Sequence, residues 1–136
     1  GIRMTADIAV YDIEGTFDCV VVPGGGEGSK VIAQDEDARE IIRRHFAAGK
    51  LTAAICAAPV VVLGKSCGIL TGRHFTCYPG LEKDDCGGKF RGDRVVTDGN
   101  LITARAPGCA GEFAYAIIAS LLGRDAADKV AGAVLL

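Results

Sequence analysis

The sequence predicts an α/β fold with a mainly parallel central sheet, and three observations support this. Short apolar runs of strand length alternate with segments of helix length, the order that gives parallel strands joined by right-handed crossovers. The 136 residues include 19 glycines, which suit many tight turns rather than a helical bundle. Hydrophobic residues make up 49% of the chain but aromatic residues only 6%, so the core is aliphatic. We expect one domain spanning residues 1–136.

The first strand–helix unit follows a stretch from Ile8 to Ile13 that alternates loosely and is predicted to be an edge strand or an extended segment. The apolar run 18–23 is predicted as a buried strand, and the glycine-rich residues 24–29 as the loop after it. Asp35 is a favourable N-cap for the next helix, and Gly49 is expected to end that helix. The apolar positions of the helix share one face: Ala38, Ile41, Ile42 and Phe46.

The second unit contains the residue of greatest chemical interest. Leu51 to Ile55 is predicted as a strand buried on both faces, and an apolar helix follows with Pro59 in its first turn. Cys56 lies at the junction, the place of the nucleophile in a strand–turn–helix elbow. Unpaired N–H groups and the helix dipole at such a junction favour a thiolate. A chemically inert buried cysteine is the alternative interpretation.

The second half of the chain predicts a short strand, a hairpin and two helices. Asp98-Gly99-Asn100 between two apolar runs is a strong hairpin signal. The predicted elements are a strand at 74–78, a loop at 81–92, hairpin strands at 95–97 and 101–103, and helices at 110–122 and 125–130.

Charge and composition argue against several kinds of partner. A net charge of -2, from 15 basic and 17 acidic residues, does not predict a surface for nucleic acid or for an anionic membrane. No apolar run reaches the roughly 18 residues of a membrane span, and no signal peptide opens the chain. The six cysteines lack zinc-site spacing, so we expect free thiols, no metal and no cofactor. Free thiols indicate a reducing compartment, with the cytoplasm as the default.

Ligands of open α/β sheets bind beyond the carboxyl ends of the strands. Three loops are expected to meet there, at residues 24–28, 56–59 and 105–109. Glycines in the first loop can bring backbone N–H groups close to a ligand, although an ordinary strand–helix turn explains them equally well. Gly24-x-Gly26-x-x-Ser29 lacks the third glycine of a dinucleotide fingerprint.

Other side chains near these loops are weaker candidates. Tyr78 follows a predicted strand and is expected to line the pocket, unless it is simply a packed aromatic. Arg105, before Pro107 and Gly108, is expected to supply a cation or to hold the loop, with a surface ion pair as the alternative. Neither histidine predicts a cysteine–histidine dyad: His45 is expected at a helix surface and His74 at a strand edge.

Four motifs, in this order, resemble the ThiJ/PfpI superfamily, specifically the branch of the Parkinsonism-associated deglycase and its bacterial relatives. They are Asp18-Cys-Val-Val-Val-Pro-Gly-Gly25, Ala53-Ala-Ile-Cys56-Ala-Ala-Pro59, Arg105-Ala-Pro-Gly108 and Glu112-Phe-Ala-Tyr-Ala-Ile-Ile118. The resemblance implies a flavodoxin-like three-layer α/β sandwich, usually assembled as a homodimer.

The resemblance also implies roles for individual residues. Cys56 matches the reactive cysteine of the family, and the backbone N–H groups of Gly24, Gly25 and Ala57 would form an oxyanion pocket around it. The protease-like branch has histidine directly after the cysteine, so Ala57 disfavours a peptidase. Tyr78 stands where the deglycase branch often has histidine.

The implied activity is a cysteine-dependent, glutathione-independent glyoxalase or deglycase, acting on methylglyoxal-type 2-oxoaldehydes or their early adducts. An oxidative-stress sensor or chaperone using the same cysteine is an alternative, as is a role in thiazole monophosphate biosynthesis. The family opens with a central strand and a helix whose glutamate hydrogen-bonds the cysteine. Because this sequence has no counterpart of that segment, we expect an N-terminally incomplete domain, with the segment possible on a separate fragment chain.

Overall fold

The computed structural model describes residues 4–136 and has a four-stranded, mainly parallel sheet at its centre. Strands β1, β2 and β6 run parallel to one another, and β5 pairs antiparallel with β6 in the predicted hairpin. The spatial order is β1–β2–β6–β5, and β3 and β4 form a separate parallel pair. The strands are β1 (Cys19–Val22), β2 (Leu51–Ile55), β3 (His74–Phe75), β4 (Lys89–Phe90), β5 (Val95–Asp98) and β6 (Leu101–Ala104).

Helices cover both faces of the sheet, which confirms the predicted three-layer sandwich. The helices are α1 (Gly26–Gln34), α2 (Glu36–Ala47), a π-helix (Pro59–Ser66), α3 (Ala110–Leu122) and α4 (Arg124–Ala133). Neighbouring residues of β2 enter two different cores, as the two-residue period of a strand requires. Ala54 packs in a cluster with Val60 of the π-helix, whereas Ala53 packs in a cluster with Phe113 of α3.

The ends of α2 follow the local signals in the sequence. The Asp35 carboxylate accepts a hydrogen bond of 2.8 Å from the Ala38 N–H, which confirms the N-cap. Gly49 has a φ of +73°, a left-handed conformation that ends the helix and turns the chain towards β2.

Several predicted elements were wrong or differ in extent. The stretch Ile8 to Ile13 contains a 3-10 turn at Val10–Asp12 instead of a strand. The glycine-rich loop is shorter than predicted, because α1 already begins at Gly26 and packs against the π-helix. The predicted strand 74–78 is shortened to β3, His74–Phe75. The predicted loop 81–92 contains β4, and the last helix is longer than predicted.

The helix after Cys56 is wound as a π-helix. The N–H of Cys67 donates to the carbonyl of Val62 at 2.9 Å, a spacing of five residues. Within this helix, a Cβ on Gly64 would lie 2.6 Å from the Cβ of Cys86. The wider helix therefore packs closely against the segment 81–88.

One histidine is more buried than the sequence predicts. His45 is fully buried rather than on the surface of α2. Cys77 and Cys109 are also buried, in the core. All six cysteines are free, as predicted.

Asp98 connects the hairpin to β3 and provides the first testable prediction. Its carboxylate accepts a 2.7 Å hydrogen bond from the His74 N–H and lies 3.4 Å from Nη1 of Arg73. The bond from the His74 backbone is the main reason why the pKa of the Asp98 carboxyl is lowered. Because the pKa is lower in the folded state, the carboxylate stabilises the fold at pH values above its unfolded-state pKa of about 3.9. This stabilisation is lost as the pH falls through the lower, folded-state pKa.

We therefore expect Asp98→Asn to lower the free energy of unfolding at pH 7 by about 1 kcal/mol. It should also weaken the dependence of stability on pH below about pH 4. Urea unfolding at pH 7 and pH 3 measures both effects. Asp93→Asn is the matched control, because Asp93 is exposed. An equal loss of stability in the two variants would contradict the prediction.

Candidate active site

Cys56 forms a sharp turn directly after the carboxyl end of β2. Its φ is +68°, a left-handed conformation that is uncommon for a residue with a side chain. The Cys56 N–H donates to the Ala104 carbonyl, and the Cys56 carbonyl accepts from the Tyr78 N–H, each at 2.9 Å. These two bonds fix the turn from both sides, and the thiol is partly exposed. The predicted strand–turn–helix elbow is therefore present.

Gly24, just after β1, lies directly against this turn. A Cβ on Gly24 would lie 2.6 Å from the Cβ of Cys56, 2.9 Å from the carbonyl oxygen of Ile55 and 3.4 Å from Sγ of Cys56. The first two distances are shorter than Cβ atoms tolerate, so only glycine fits here. The next residue, Gly25, has a φ of +95° and is the N-cap of α1. The turn between β1 and α1 therefore contacts Cys56 through Gly24.

Three other predicted pocket residues, Ala57, Tyr78 and Arg105, are connected to the elbow through the backbone. Ala57 is buried, whereas Tyr78 is 48% exposed and is joined to Cys56 through its N–H. Arg105 follows Ala104, the acceptor of the Cys56 N–H, and its Nη1 donates to the Gly92 carbonyl at 3.1 Å. Arg105 therefore connects its own loop to the loop at Gly92.

Pro107 and Gly108, which the sequence placed near the pocket, are exposed residues of the 3-10 turn Pro107–Cys109. The structure shows an anchor for this turn that the sequence did not reveal. Nη2 of Arg94 donates to the Gly108 carbonyl at 2.6 Å, and Nε of Arg94 donates to the Glu112 carboxylate at 2.8 Å. The bond to Glu112 raises the pKa of Arg94, which stays charged. Arg94, directly before β5, thus connects this strand to the start of α3.

Neither histidine lies at this end of the sheet. The carbonyl of His45 accepts from Lys50, just before the amino end of β2, and His74 contacts Asp98 in the hairpin turn. Within residues 4–136, no carboxylate hydrogen-bonds the thiol of Cys56. The same residues contain no group of three or more His, Cys, Asp or Glu side chains that could hold a metal ion. No helix in this part of the chain is long and apolar enough to cross a membrane.

Three of the other thiols lie in surroundings that disfavour the thiolate. Burial raises the pKa of Cys77 to about 12, with nearby Glu82 adding to the effect. Burial also raises the pKa of Cys19 and of Cys67. These three cysteines are therefore poor nucleophiles at neutral pH, since the thiolate is the reactive form.

A wide surface cavity of about 700 Å³ lies at the opposite end of the sheet, lined by Asp18, Lys50, Asn100 and Leu122 among others. It lies at the amino ends of the strands, whereas the carboxyl ends are where ligands of such sheets bind. We therefore assign the candidate active site to the Cys56 elbow and not to this cavity.

The layered fold and the elbow define an α/β protein with a cysteine held at the end of a central parallel strand. The chain belongs to the DJ-1/PfpI family, whose sequence model matches residues 1–120. This finding confirms the resemblance seen in the motifs.

Individual relatives show the same relationship. The chain is 34% identical to Protein DJ-1 homolog B of Arabidopsis thaliana, over 100% of this chain and 31% of the relative. It is 35% identical to the glutathione-independent glyoxalase DJR-1.2 of Caenorhabditis elegans, over 96% of this chain and 69% of the relative. The chain thus spans about a third of the plant protein.

Solved structures agree closely with the fold. A cysteine-to-alanine mutant of a DJ-1 superfamily protein from Salmonella typhimurium matches with a TM-score of 0.93 and 36% identity, covering 98% of this chain and 73% of that one. Oxidized DJ-1 from Toxoplasma gondii matches with a TM-score of 0.93 and 32% identity, covering 99% and 73%.

Proposed function

We propose that this chain carries the cysteine centre of a glutathione-independent glyoxalase or deglycase. Its substrates would be methylglyoxal-type 2-oxoaldehydes or their early adducts, and its products hydroxy acids. The observation that carries the proposal is the left-handed Cys56 at the end of β2, with Gly24 packed directly against it. The C. elegans relative that is named a glutathione-independent glyoxalase supports the choice of substrate class.

In the proposed reaction, the thiolate of Cys56 adds to the aldehyde carbon, and the carbonyl electron pair becomes an oxyanion. Backbone N–H groups of Gly25 and Ala57 are proposed to bind this oxyanion. The proton of the former aldehyde carbon moves to the adjacent carbon through an enediol, which leaves a thioester on Cys56. Water then hydrolyses the thioester and regenerates the thiol. The sum is methylglyoxal plus water giving lactate, so no external oxidant or reductant is consumed.

The proton transfers require a base, and we propose that it comes with a further strand beside β1. Strand β1 forms one edge of the sheet within residues 4–136. Its Val21 is 48% exposed, and no charged residue or proline within the strand protects this edge. An apolar groove of about 190 Å³ runs along it, lined by Val20, Val22, Ile32 and Ile42 among others. A parallel strand would pair with this edge and cover the groove.

We propose that a segment preceding these residues in the intact protein supplies that strand, in the same chain or as a separate fragment. The alignment covers only 73% of the Salmonella chain, so the remainder of that chain can include such a segment. The intact mass of the protein, purified without proteolysis, tests this. A single species of 14.0 kDa that is fully active alone would contradict it. We also propose a homodimer, which sedimentation analysis of the same sample would test.

The activity itself is tested by incubating the intact, dialysed protein with methylglyoxal and without glutathione. Lactate should accumulate in proportion to protein concentration, measured with lactate dehydrogenase or by proton NMR. Consumption of methylglyoxal without lactate would indicate simple thiol adduct formation and would contradict the proposed reaction.

A second candidate function, an oxidative-stress sensor with chaperone activity, uses the same residue. Cys56 is partly exposed in the turn, whereas Cys77 and Cys109 are buried. The Toxoplasma relative was solved in an oxidized form. As a sensor, the thiolate of Cys56 would take one oxygen from peroxide, giving a sulfenic acid and hydroxide. Protonation then converts the hydroxide to water.

We expect mild peroxide to oxidise Cys56 before the other five cysteines, as measured by peptide mass spectrometry. Cys19, Cys67 and Cys86 are the internal controls, because they are also partly exposed. The sensor function loses its support if any of these controls is oxidised first. Oxidation at Cys56 together with absent lactate formation would favour the sensor over the enzyme.

A further inference from the structure

His45 is a fully buried imidazole that joins α2 to the segment leading into β1. Its Nδ1 lies 2.8 Å from the carbonyl oxygen of Ile41, and its Nε2 lies 2.8 Å from the backbone nitrogen of Phe17. A carbonyl oxygen can only accept a hydrogen bond, so Nδ1 must carry the proton. Nε2 is then unprotonated and accepts the Phe17 N–H. The two neighbours together fix one neutral tautomer.

The same imidazole also holds the Phe17 side chain. The two rings stack with centroids 5.8 Å apart and an angle of 18° between their planes, while Phe17 stays 54% exposed. The only other side-chain bond to this segment from α2 within residues 4–136 is long, 3.5 Å from Nη2 of Arg44 to the Ile13 carbonyl. The attachment of the segment 13–17 to α2 therefore depends mainly on His45.

We propose that His45 is an acid-released latch: the neutral imidazole holds the segment 13–17 against α2, and the protonated imidazole releases it. A protonated ring carries N–H groups on both nitrogens, so Nε2 would point a hydrogen at the Phe17 N–H instead of accepting from it. The acceptor is lost, and a buried charge replaces it. Histidine is the side chain that changes charge between about pH 5 and pH 8.

Charged residues of both signs lie on the elements around His45. Among them are Arg44 on α2, Glu14 in the segment, Asp18 directly after it and Lys50 in the turn after α2, and Lys50 pairs with Asp18 at 3.1 Å. Strand β2 carries no charged residue. Because both signs are present, the loss of the Phe17 hydrogen bond decides the direction of the response.

The latch would act on one wall of the apolar groove beside β1. Val10, before the segment, and Ile13, at its start, line that groove together with Val20 and Val22. Release of the segment on acidification would loosen this wall, against which the proposed further strand would pack. This control is independent of the chemistry at Cys56, which lies at the other end of β2.

Amide hydrogen exchange tests the latch in the intact protein. After correction for intrinsic exchange rates, the protection factor of the Phe17 amide should be at least about 10-fold lower at pH 5.5 than at pH 7.5. The protection factor of Ala53, in the middle of β2, should not change between the two pH values. Equal protection of Phe17 at both pH values would overturn the proposal.

Two variants assign the effect to one histidine. Glutamine at position 45 offers an acceptor and a donor but does not titrate, so His45→Gln should keep Phe17 protected at both pH values. The chain has only two histidines, and His74→Gln should retain the wild-type response. A pH response that persists in His45→Gln, or is lost in His74→Gln, would contradict the latch.

Nitrogen-15 NMR of the wild-type ring keeps the proposal testable if His45→Gln does not fold. We expect the Nδ1–H tautomer at pH 7.5, and protonation of Nε2 over the same pH range in which Phe17 loses protection. An Nε2–H tautomer at pH 7.5 would refute the hydrogen-bond assignment and the latch with it.

Discussion

Replacing Cys56 with serine in the intact protein is expected to lower kcat/KM for glutathione-free lactate formation by about 1,000-fold or more. Serine has nearly the same shape, so the backbone bonds to Ala104 and Tyr78 should remain. Its hydroxyl does not ionise near neutral pH and cannot replace the thiolate that is proposed to add to the aldehyde. The substitution therefore separates the chemistry of the thiol from the geometry of the turn.

Cys86→Ser is the matched control for this prediction. Cys86 is also partly exposed, and it packs against Gly64 rather than against the elbow. We expect this variant to keep activity within about 2-fold of wild type, as is usual for a site away from the chemistry. Retention of more than a tenth of the wild-type activity by Cys56→Ser would show that another group is the nucleophile.

Signals that are local in the sequence predicted the elements well. The apolar run before Cys56 became the fully buried strand β2, and Asp98-Gly99-Asn100 became the hairpin turn between β5 and β6. Asp35 caps α2 because the short carboxylate reaches an N–H three residues ahead. Each of these features depends on residues that are close in the chain, so composition and spacing are sufficient to find them.

The features that the sequence did not reveal depend on contacts between distant residues. Glycines disfavour helix, yet α1 begins at Gly26, because its packing against the π-helix outweighs intrinsic propensity. His45 belongs to a polar run, Arg43-Arg44-His45, and its burial depends on Phe17, 28 positions earlier. The anchoring of Gly108 by Arg94 likewise joins two loops that only the folded sheet brings together.

The candidate site was predictable in part for the same reason. Cys56 and its elbow follow from a strand, a cysteine and a proline that are adjacent in the chain. Resemblance to the family pointed to Gly24 and Gly25, but the close contact between Gly24 and Cys56 requires coordinates. That contact leads to a further prediction with a large expected effect, because it brings the ends of β1 and β2 together.

Gly24→Ala is expected to lower the free energy of unfolding by about 2–3 kcal/mol, the upper range for overpacking a core. The added methyl group would lie 2.6 Å from the Cβ of Cys56 and 2.9 Å from the Ile55 carbonyl, and neither backbone-linked atom can move freely. Relief of this clash must displace the Cys56 turn. Since a displacement of about 1 Å can cost 100-fold in rate, we expect kcat/KM to fall by about that factor even where the protein is folded.

Gly28→Ala provides a control with the opposite expected sign. Gly28 lies within α1, and a Cβ placed on it would meet no atom within 4 Å. Alanine should therefore raise the free energy of unfolding by about 0.5–1 kcal/mol through its higher helix propensity. Urea unfolding and the lactate assay, run below the transition of each variant, distinguish displacement of the site from global unfolding. Wild-type stability and activity in Gly24→Ala would mean that Cys56 is not held by this contact, and the elbow would then have to be stabilised by the bonds to Ala104 and Tyr78 alone.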